Sequence, residues 1–201
     1  MKQTLFTIIR NEQIATNVWR MQLAGDTNEI LPGQFVNIRV EGQFLRRPIS
    51  VCDAQDGILT IIYKVVGVGT KAMSYLIAEQ KVDMLTGLGT GYNIANAGEN
   101  PLLVGGGVGV PPMYNLCKKL IEEGKAVTVI LGFNKKDEIF YENEFKKLGA
   151  DVKVTTVDGS YGIKGFVTDA LKDTEYTYFY TCGPMPMFKA IESIANTSGQ
   201  Y

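Results

Sequence analysis

A chain of 201 residues has room for one large domain or two of about 100 residues each. A net charge of −1 gives no electrostatic ground for expecting nucleic acid or an anionic membrane surface as a partner. Histidine is absent, which excludes Ser-His-Asp hydrolysis, histidine acid–base chemistry and histidine-ligated metals together.

The three cysteines, Cys52, Cys117 and Cys182, lie far apart with no Cys-x-x-Cys pair. They form neither a zinc or iron–sulfur ligand run nor a disulfide framework, so redox chemistry would need cofactors bound from outside. No apolar run approaches the length of a membrane span. Arg10, Asn11 and Glu12 interrupt the apolar start of the chain, so no secretion signal is read there and the expected location is the cytoplasm.

The first half reads as strands. Leu5–Ile9, Val18–Leu23, Phe35–Val40, Ile49–Cys52 and Leu59–Val66 are β-rich or alternate with period two, and turn residues such as Gly25-Asp26 and Pro32-Gly33 separate them. Short strands at this spacing predict a closed antiparallel barrel or a sandwich. One helix interrupts them, with Thr70 as its expected cap and Met73, Leu76 and Ile77 behind it at helical spacing. A last strand near Lys81–Thr86 runs into Gly87-Leu88-Gly89-Thr90-Gly91.

Near residue 97 the pattern changes to alternating strand and helix, so two domains are expected, 1–97 and 98–201. The run Leu102-Leu103-Val104 feeds Gly105-Gly106-Gly107-Val108-Gly109, and Pro111-Pro112 open a helix carrying Met113, Leu116, Cys117, Leu120 and Ile121, ended by Gly124. Strands are expected at Val127–Phe133, Val152–Val157 and Tyr176–Thr181. Helices are expected around Tyr141–Leu148, around Phe166–Leu171 and at the end through Met187, Ile191 and Ile194. Such alternation predicts a parallel α/β sheet with helices on both faces.

A parallel sheet binds ligands beyond the carboxyl ends of its strands. The Gly105–Gly109 loop, ending a strand and opening a helix, fits a phosphate cradle built from backbone N–H groups and a helix N-terminus. It also fits a plain tight turn. Asn134-Lys135-Lys136-Asp137-Glu138 and Cys182-Gly183-Pro184 leave two further strand ends. Cys182 would face a ligand lying there, or serve as a small buried thiol. In the barrel half, Arg46-Arg47-Pro48-Ile49-Ser50 combines two guanidiniums suited to phosphate oxygens with a hydroxyl suited to a ring nitrogen. A pair of solvated surface arginines beside a turn fits the same residues. Gly67-Val68-Gly69-Thr70 is a second phosphate cradle or an ordinary capped helix, and Tyr63 and Lys64 line the same cleft or simply pack.

Taken in order, Arg47-Pro48-Ile49-Ser50, Gly67-x-Gly69-Thr70, Gly105-Gly106-Gly107-x-Gly109 and Cys182-Gly183-Pro184 resemble the ferredoxin reductase superfamily. Within it, Gly105–Pro112, Leu131-Gly132-Phe133 with Phe140-Tyr141-Glu142, and Asp158–Asp169 are similar to the electron transfer subunits of dihydroorotate dehydrogenase B. The resemblance implies an FAD-binding antiparallel β-barrel followed by an NAD-binding α/β domain. It implies that Arg47 pairs with the FAD pyrophosphate, with Pro48 and Ile49 beside it, and that Ser50 hydrogen-bonds near flavin N5. Ile62, Tyr63 and Lys64 would line the flavin and ribityl groove, and Gly69 and Thr70 would bind phosphate through backbone and hydroxyl. Gly105, Gly106, Gly107 and Gly109 would receive NAD, with Cys182, Gly183 and Pro184 near the nicotinamide. Ser50 and Cys182 are thus the candidate catalytic residues, with the chemistry expected between the domains. Alignment would do the work, holding nicotinamide C4 about 3–3.5 Å from flavin N5.

The resemblance further implies a catalytic dihydroorotate-oxidising partner subunit, two of each in a heterotetramer, in pyrimidine biosynthesis. Family members carry a C-terminal segment whose four cysteines hold a [2Fe–2S] cluster. This sequence ends at Gly199-Gln200-Tyr201 without those cysteines, and a truncated chain is expected rather than a cluster-less relative. No metal ligands are assigned here. Two other readings are a reductase subunit of another flavin system, such as a hydrogenase or a ferredoxin:NADP oxidoreductase complex, and a non-catalytic nucleotide-binding regulatory subunit. Lys135 and Lys136 favour a 2′-phosphate and Asp137 and Glu138 oppose it; the resemblance points to NAD.

Overall fold

Strand β1 (Lys2–Ala15) bridges the ends of the first sheet. Its first part pairs antiparallel with β6 (Lys81–Leu88), and its later part with β2 (Val18–Ala24). With β3 (Phe35–Ile38), β4 (Arg47–Gln55) and β5 (Ile58–Lys64), these strands close an antiparallel barrel in the order β1-β2-β5-β4-β3-β6. The computed structural model describes residues 1–172 and 174–198, with side chains described as far as residue 194. The closing residues 199–201 of the sequence lie outside the described residues.

Alternation puts Phe6, Ile8, Met21, Leu23, Ile38, Leu59, Ile61 and Met84 inside the barrel, each fully buried. Truncating any of the leucines to alanine removes about 2–5 kcal/mol. The later part of β1 is longer than its apolar pattern suggests. Residues 10–13 are polar, yet Glu12 lies directly across from Arg20 on β2 and forms an ion pair with it. Such cross-strand charge pairs support a ladder that has no apolar outer face.

Asp83 on β6 accepts from Gln3 at 2.8 Å and lies 3.0 Å from the Arg46 guanidinium. The Arg46 hydrogen bond, aided by Gln3, holds the Asp83 carboxyl below its usual value. A depressed folded value stabilises the protein above pH 3.8 and loses that contribution as pH falls through the lower folded value. Asp83→Asn is therefore expected to flatten the acid limb of a plot of Tm against pH, while lowering Tm slightly at neutral pH.

Helix α1 (Val68–Ser74) joins β5 to β6. Thr70 is its third residue and not its cap. The cap is Gly67, and the Thr70 hydroxyl reaches back to accept from the backbone N–H groups of Val66 and Gly67. Leu76 and Ile77, expected inside this helix, lie beyond its end, and Ile77 is exposed.

The chain divides into two units, Met1–Tyr92 and Asn93–Tyr201. The division precedes residue 97 because the Asn93–Ala97 turn is tied to the second unit. Tyr180 donates to the Asn93 carbonyl at 2.7 Å, and Thr177 to the Ala97 carbonyl at 2.7 Å.

The second unit is a parallel sheet of β7 (Pro101–Gly106), β8 (Thr128–Phe133), β9 (Asp151–Thr156), β10 (Ile163–Lys164) and β11 (Tyr178–Cys182), in the order β10-β9-β8-β7-β11. The two-residue β10 has no hydrophobic pattern and is not legible in the sequence. Helices α2 (Pro111–Glu122), α3 (Glu142–Leu148), α4 (Val167–Leu171) and α5 (Met185–Ser198) cover the sheet. Leu102, Val104 and Ile130 pack against Val167, Leu171 and Ile191 of α4 and α5. The intervening Leu103, Val129 and Leu131 are equally buried, as the strands of a two-faced parallel sheet must be. Among the described residues, no helix is long and apolar enough to cross a membrane.

Candidate functional site

Two groups of the expected site residues come together, one in each unit. In the barrel, Arg46 and Arg47 have different employment. Arg46 lies against Asp83 and donates to the carbonyls of Asn37 and Asp83 at 3.3 and 3.1 Å, so it is a structural residue. Arg47 donates to the Leu45 carbonyl at 2.6 Å and to Gln43 Oε1 at 3.0 Å, both in its own loop. Its guanidinium lies over the first turn of α1. A Cβ added at Gly69 would collide with it, falling 2.6 Å from both Cζ and Nη2. The Arg47 and Gly69 motifs, distant in sequence, therefore form one feature.

At that turn the backbone N–H groups of Val68, Gly69 and Thr70 have no acceptor within the helix, because the first intrahelical bond runs from Lys71 N to the Gly67 carbonyl. A guanidinium beside three such N–H groups, with glycine leaving room, fits a pyrophosphate. The Thr70 hydroxyl accepts two backbone N–H bonds and donates to the Gly67 carbonyl at 3.2 Å, so it shapes the turn.

Ser50 is half-buried on β4, Pro48 beside it is exposed, and Ile49 packs on the barrel core. Ile62 and Tyr63 on β5 are 3% and 2% exposed, so neither presents its side chain to a ligand; Lys64 is partly exposed. Tyr63 instead donates its hydroxyl to Asn11 Oδ1 at 3.0 Å. Asn11 was not legible as a site residue, because its partners are 52 and more positions away.

In the sheet, strand order reverses at β7, which has β8 on one side and β11 on the other. The loops leaving β7 and β11 thus flank the crevice where open parallel sheets bind ligands. The glycines of the first loop divide by what surrounds them. A Cβ at Gly105 would lie 2.9 Å from Val110 Cα, and one at Gly106 2.7 Å from Met187 Sδ. One at Gly109 would collide with the Cys182 carbonyl and lie 2.7 Å from Gly183 N. Gly105 and Gly109 let backbone pack on backbone and Gly106 makes room for the Met187 and Pro184 side chains, which joins the Cys182-Gly183 turn to the glycine loop. Gly107 differs. It has a left-handed φ of +53° and nothing within 4 Å of an added Cβ, so its face of the turn is open to a ligand. Met187, read from the sequence only as a residue of the last helix, lies on α5 beneath both loops, since a Cβ at Gly183 would fall 2.9 Å from its Sδ.

The cysteines differ as well. Cys52 is buried, and burial on α2 pushes the Cys117 thiol up to about 12, which makes it inert at neutral pH. Cys182 is partly exposed at the end of β11, and Pro184 beyond it is exposed. Among the described residues no group of three or more His, Cys, Asp or Glu side chains could hold a metal ion.

Residues 103–193 match the family described as oxidoreductase NAD-binding domain. An electron transfer subunit of dihydroorotate dehydrogenase B (NAD(+)) from Fusobacterium nucleatum subsp. nucleatum is 43% identical, over 96% of this chain and 80% of its own length. This chain belongs to that family. The corresponding subunit from a Geobacillus species is 42% identical over 96% of this chain and 79% of its own. A solved structure of an NADH-dependent reduced ferredoxin-NADP oxidoreductase superposes with a TM-score of 0.86 at 34% identity, covering 96% of this chain and 72% of that one. The flavohaem-like FAD/NAD-binding domain of a Vibrio cholerae nitric oxide dioxygenase superposes at 0.84 with 21% identity, covering 98% and 94%. It shares the fold. The chain is an FAD- and NAD-binding oxidoreductase component with the ferredoxin reductase architecture.

Proposed function

We propose that the chain carries electrons between a dihydroorotate-oxidising partner and NAD, so that the net reaction forms orotate and reduces NAD, in the cytoplasm, within a complex of two copies of each subunit. The observation that carries this reading is the Arg47 guanidinium set over Gly69 and the free N–H groups of the α1 turn. Bound there, FAD would supply a ring that takes up electrons singly and passes them to NAD as a hydride. Arg47 and the N–H groups of residues 68–70 hold the pyrophosphate, the Ser50 hydroxyl orients the flavin near N5, and Lys64 and the strand backbone at Ile62 and Tyr63 border the groove. Gly107 and its neighbours admit the pyridine nucleotide, and Cys182 with Gly183 and Pro184 borders the nicotinamide. The test is spectroscopic. The purified chain should be yellow, and NADH added without oxygen should bleach its flavin band; a colourless chain that takes up no FAD on reconstitution sinks the reading.

A ferredoxin-linked complex is the second reading, favoured by the 34% identical oxidoreductase structure. Identifying what co-purifies with the full-length protein separates the two, and its mass in solution tests the two-plus-two assembly.

The loop after β8 supports NAD over NADP. Lys135 lies 3.0 Å from the Asp137 carboxylate, and the hydrogen bond to Asp137 raises its pKa. Asn134 donates to Glu138 at 3.0 Å, and the Lys136 N–H donates to Ser160, whose own N–H and hydroxyl bond Asp158. The Lys135 charge is thus already engaged by Asp137, and the loop's carboxylates repel a 2′-phosphate. Asp137→Asn is expected to lower the KM for NADPH several-fold with little change for NADH, read by flavin bleaching.

A further inference from the structure

We infer that Asn11 is a positioning residue for the FAD phosphate cradle, acting through the Met73 carbonyl in the last turn of α1 and the Leu76 carbonyl just beyond it; this rests on the reading of Arg47 and the α1 turn as the pyrophosphate site. Helix α1 has seven residues, too few to hold a fixed axis by its own hydrogen bonds. Both of its ends are held by side chains. Thr70 fixes the first turn. At the other end, Asn11 Nδ2 donates to the carbonyls of Met73 and Leu76, each at 2.9 Å.

The orientation of that amide follows from chemistry. Two carbonyls can only accept, so the nitrogen must face them, and the oxygen must then face Tyr63. Burial pushes the Tyr63 hydroxyl above its ordinary pKa, which keeps it protonated and able to donate to Asn11 Oδ1. Tyr63 lies in the barrel core, and Asn11 itself belongs to β1. The amide therefore ties α1 to two barrel strands at a fixed distance and angle.

A helix of two turns moves as a rigid piece. Releasing its last turn tilts the first, and with it Gly69 and the N–H groups of residues 68–70 relative to Arg47. Phosphate recognition by several convergent donors tolerates about 0.5 Å of such displacement.

The experiment compares FAD affinity, by flavin fluorescence quenching on the apoprotein, with thermal stability in four forms. Asn11→Ala removes all three bonds. Asn11→Asp keeps an acceptor for Tyr63 but turns an oxygen toward the two carbonyls. Leu23→Ala, a core change on β2, is the control for stability loss alone. At a temperature where all are folded, both Asn11 variants should bind FAD at least about tenfold more weakly, while Leu23→Ala lowers Tm and keeps wild-type affinity. A measurement on the unmodified chain needs no variant to fold. Adding FAD should slow hydrogen exchange of the Asn11 Nδ2 protons together with the amides of residues 68–70. Wild-type FAD affinity in the Asn11 variants, or Asn11 protons indifferent to FAD, overturns the inference. Undiminished FAD binding by Arg47→Ala would instead overturn the pyrophosphate reading on which it rests.

Discussion

Arg47→Ala is expected to give a folded but colourless protein. Among the described residues, Arg47 bonds the Leu45 carbonyl, the Arg46 carbonyl and Gln43, all within its own partly exposed loop. Losing such contacts costs about 1 kcal/mol of stability. Toward a pyrophosphate, the same guanidinium offers paired N–H donors to a charged acceptor, each worth about 1.5–3 kcal/mol. FAD affinity should therefore fall on the order of a hundredfold or more, read from the flavin-to-protein absorbance ratio after purification, while Tm of the apoprotein barely moves. Arg47→Lys keeps the charge but not the planar fork, and should fall between. Stoichiometric flavin in the alanine variant means that the pyrophosphate lies elsewhere.

The second large effect separates two glycines of one loop. Gly109→Ala places a methyl group into the Cys182 carbonyl, and neither backbone segment can move without disturbing the end of its strand. A loss of several kcal/mol is expected, with a clear drop in Tm, because overlap with backbone is among the few mechanisms that reach this size. Gly107→Ala meets open space and pays only for its left-handed φ of +53°, about 1–2 kcal/mol. Its methyl stands on the face where the nucleotide is proposed to lie. The concentration of NADH needed to bleach the flavin should rise about tenfold or more, with flavin content unchanged. A Gly109→Ala protein with wild-type Tm contradicts the packing, and a Gly107→Ala protein with unchanged NADH dependence moves the nucleotide off that face.

Apolar alternation made the barrel strands legible, and helical spacing made α2 legible, because both signals are local. The later part of β1 was hidden, since its support is the cross-strand pair Glu12–Arg20 and not apolar burial. Thr70 was mistaken for a cap for a related reason. A hydroxyl reaching back from the third helical position satisfies the same N–H groups that a capping hydroxyl would. At the site, the order of motifs in the chain brought Arg47 and Gly69 into one argument, and the contact between them agrees with it. The bond from Tyr63 to Asn11 is not legible, because a strand tyrosine carries no mark of where its hydroxyl ends. The glycine loop held the deeper ambiguity. A glycine that admits a phosphate and one that admits a neighbouring backbone are the same letter, and only the surroundings of Gly105, Gly106 and Gly109 separate them from Gly107.

The shape of that loop has a kinetic consequence. Its curvature is set by Val110, Met187 and the Cys182-Gly183 backbone, so the nucleotide proposed to bind there would meet a preformed socket. Little chain entropy remains to be lost on capture, which is where flexible phosphate loops forfeit affinity. Capture of NADH should then follow simple one-step kinetics, its observed rate rising linearly with nucleotide concentration instead of levelling off at the rate of a loop closure.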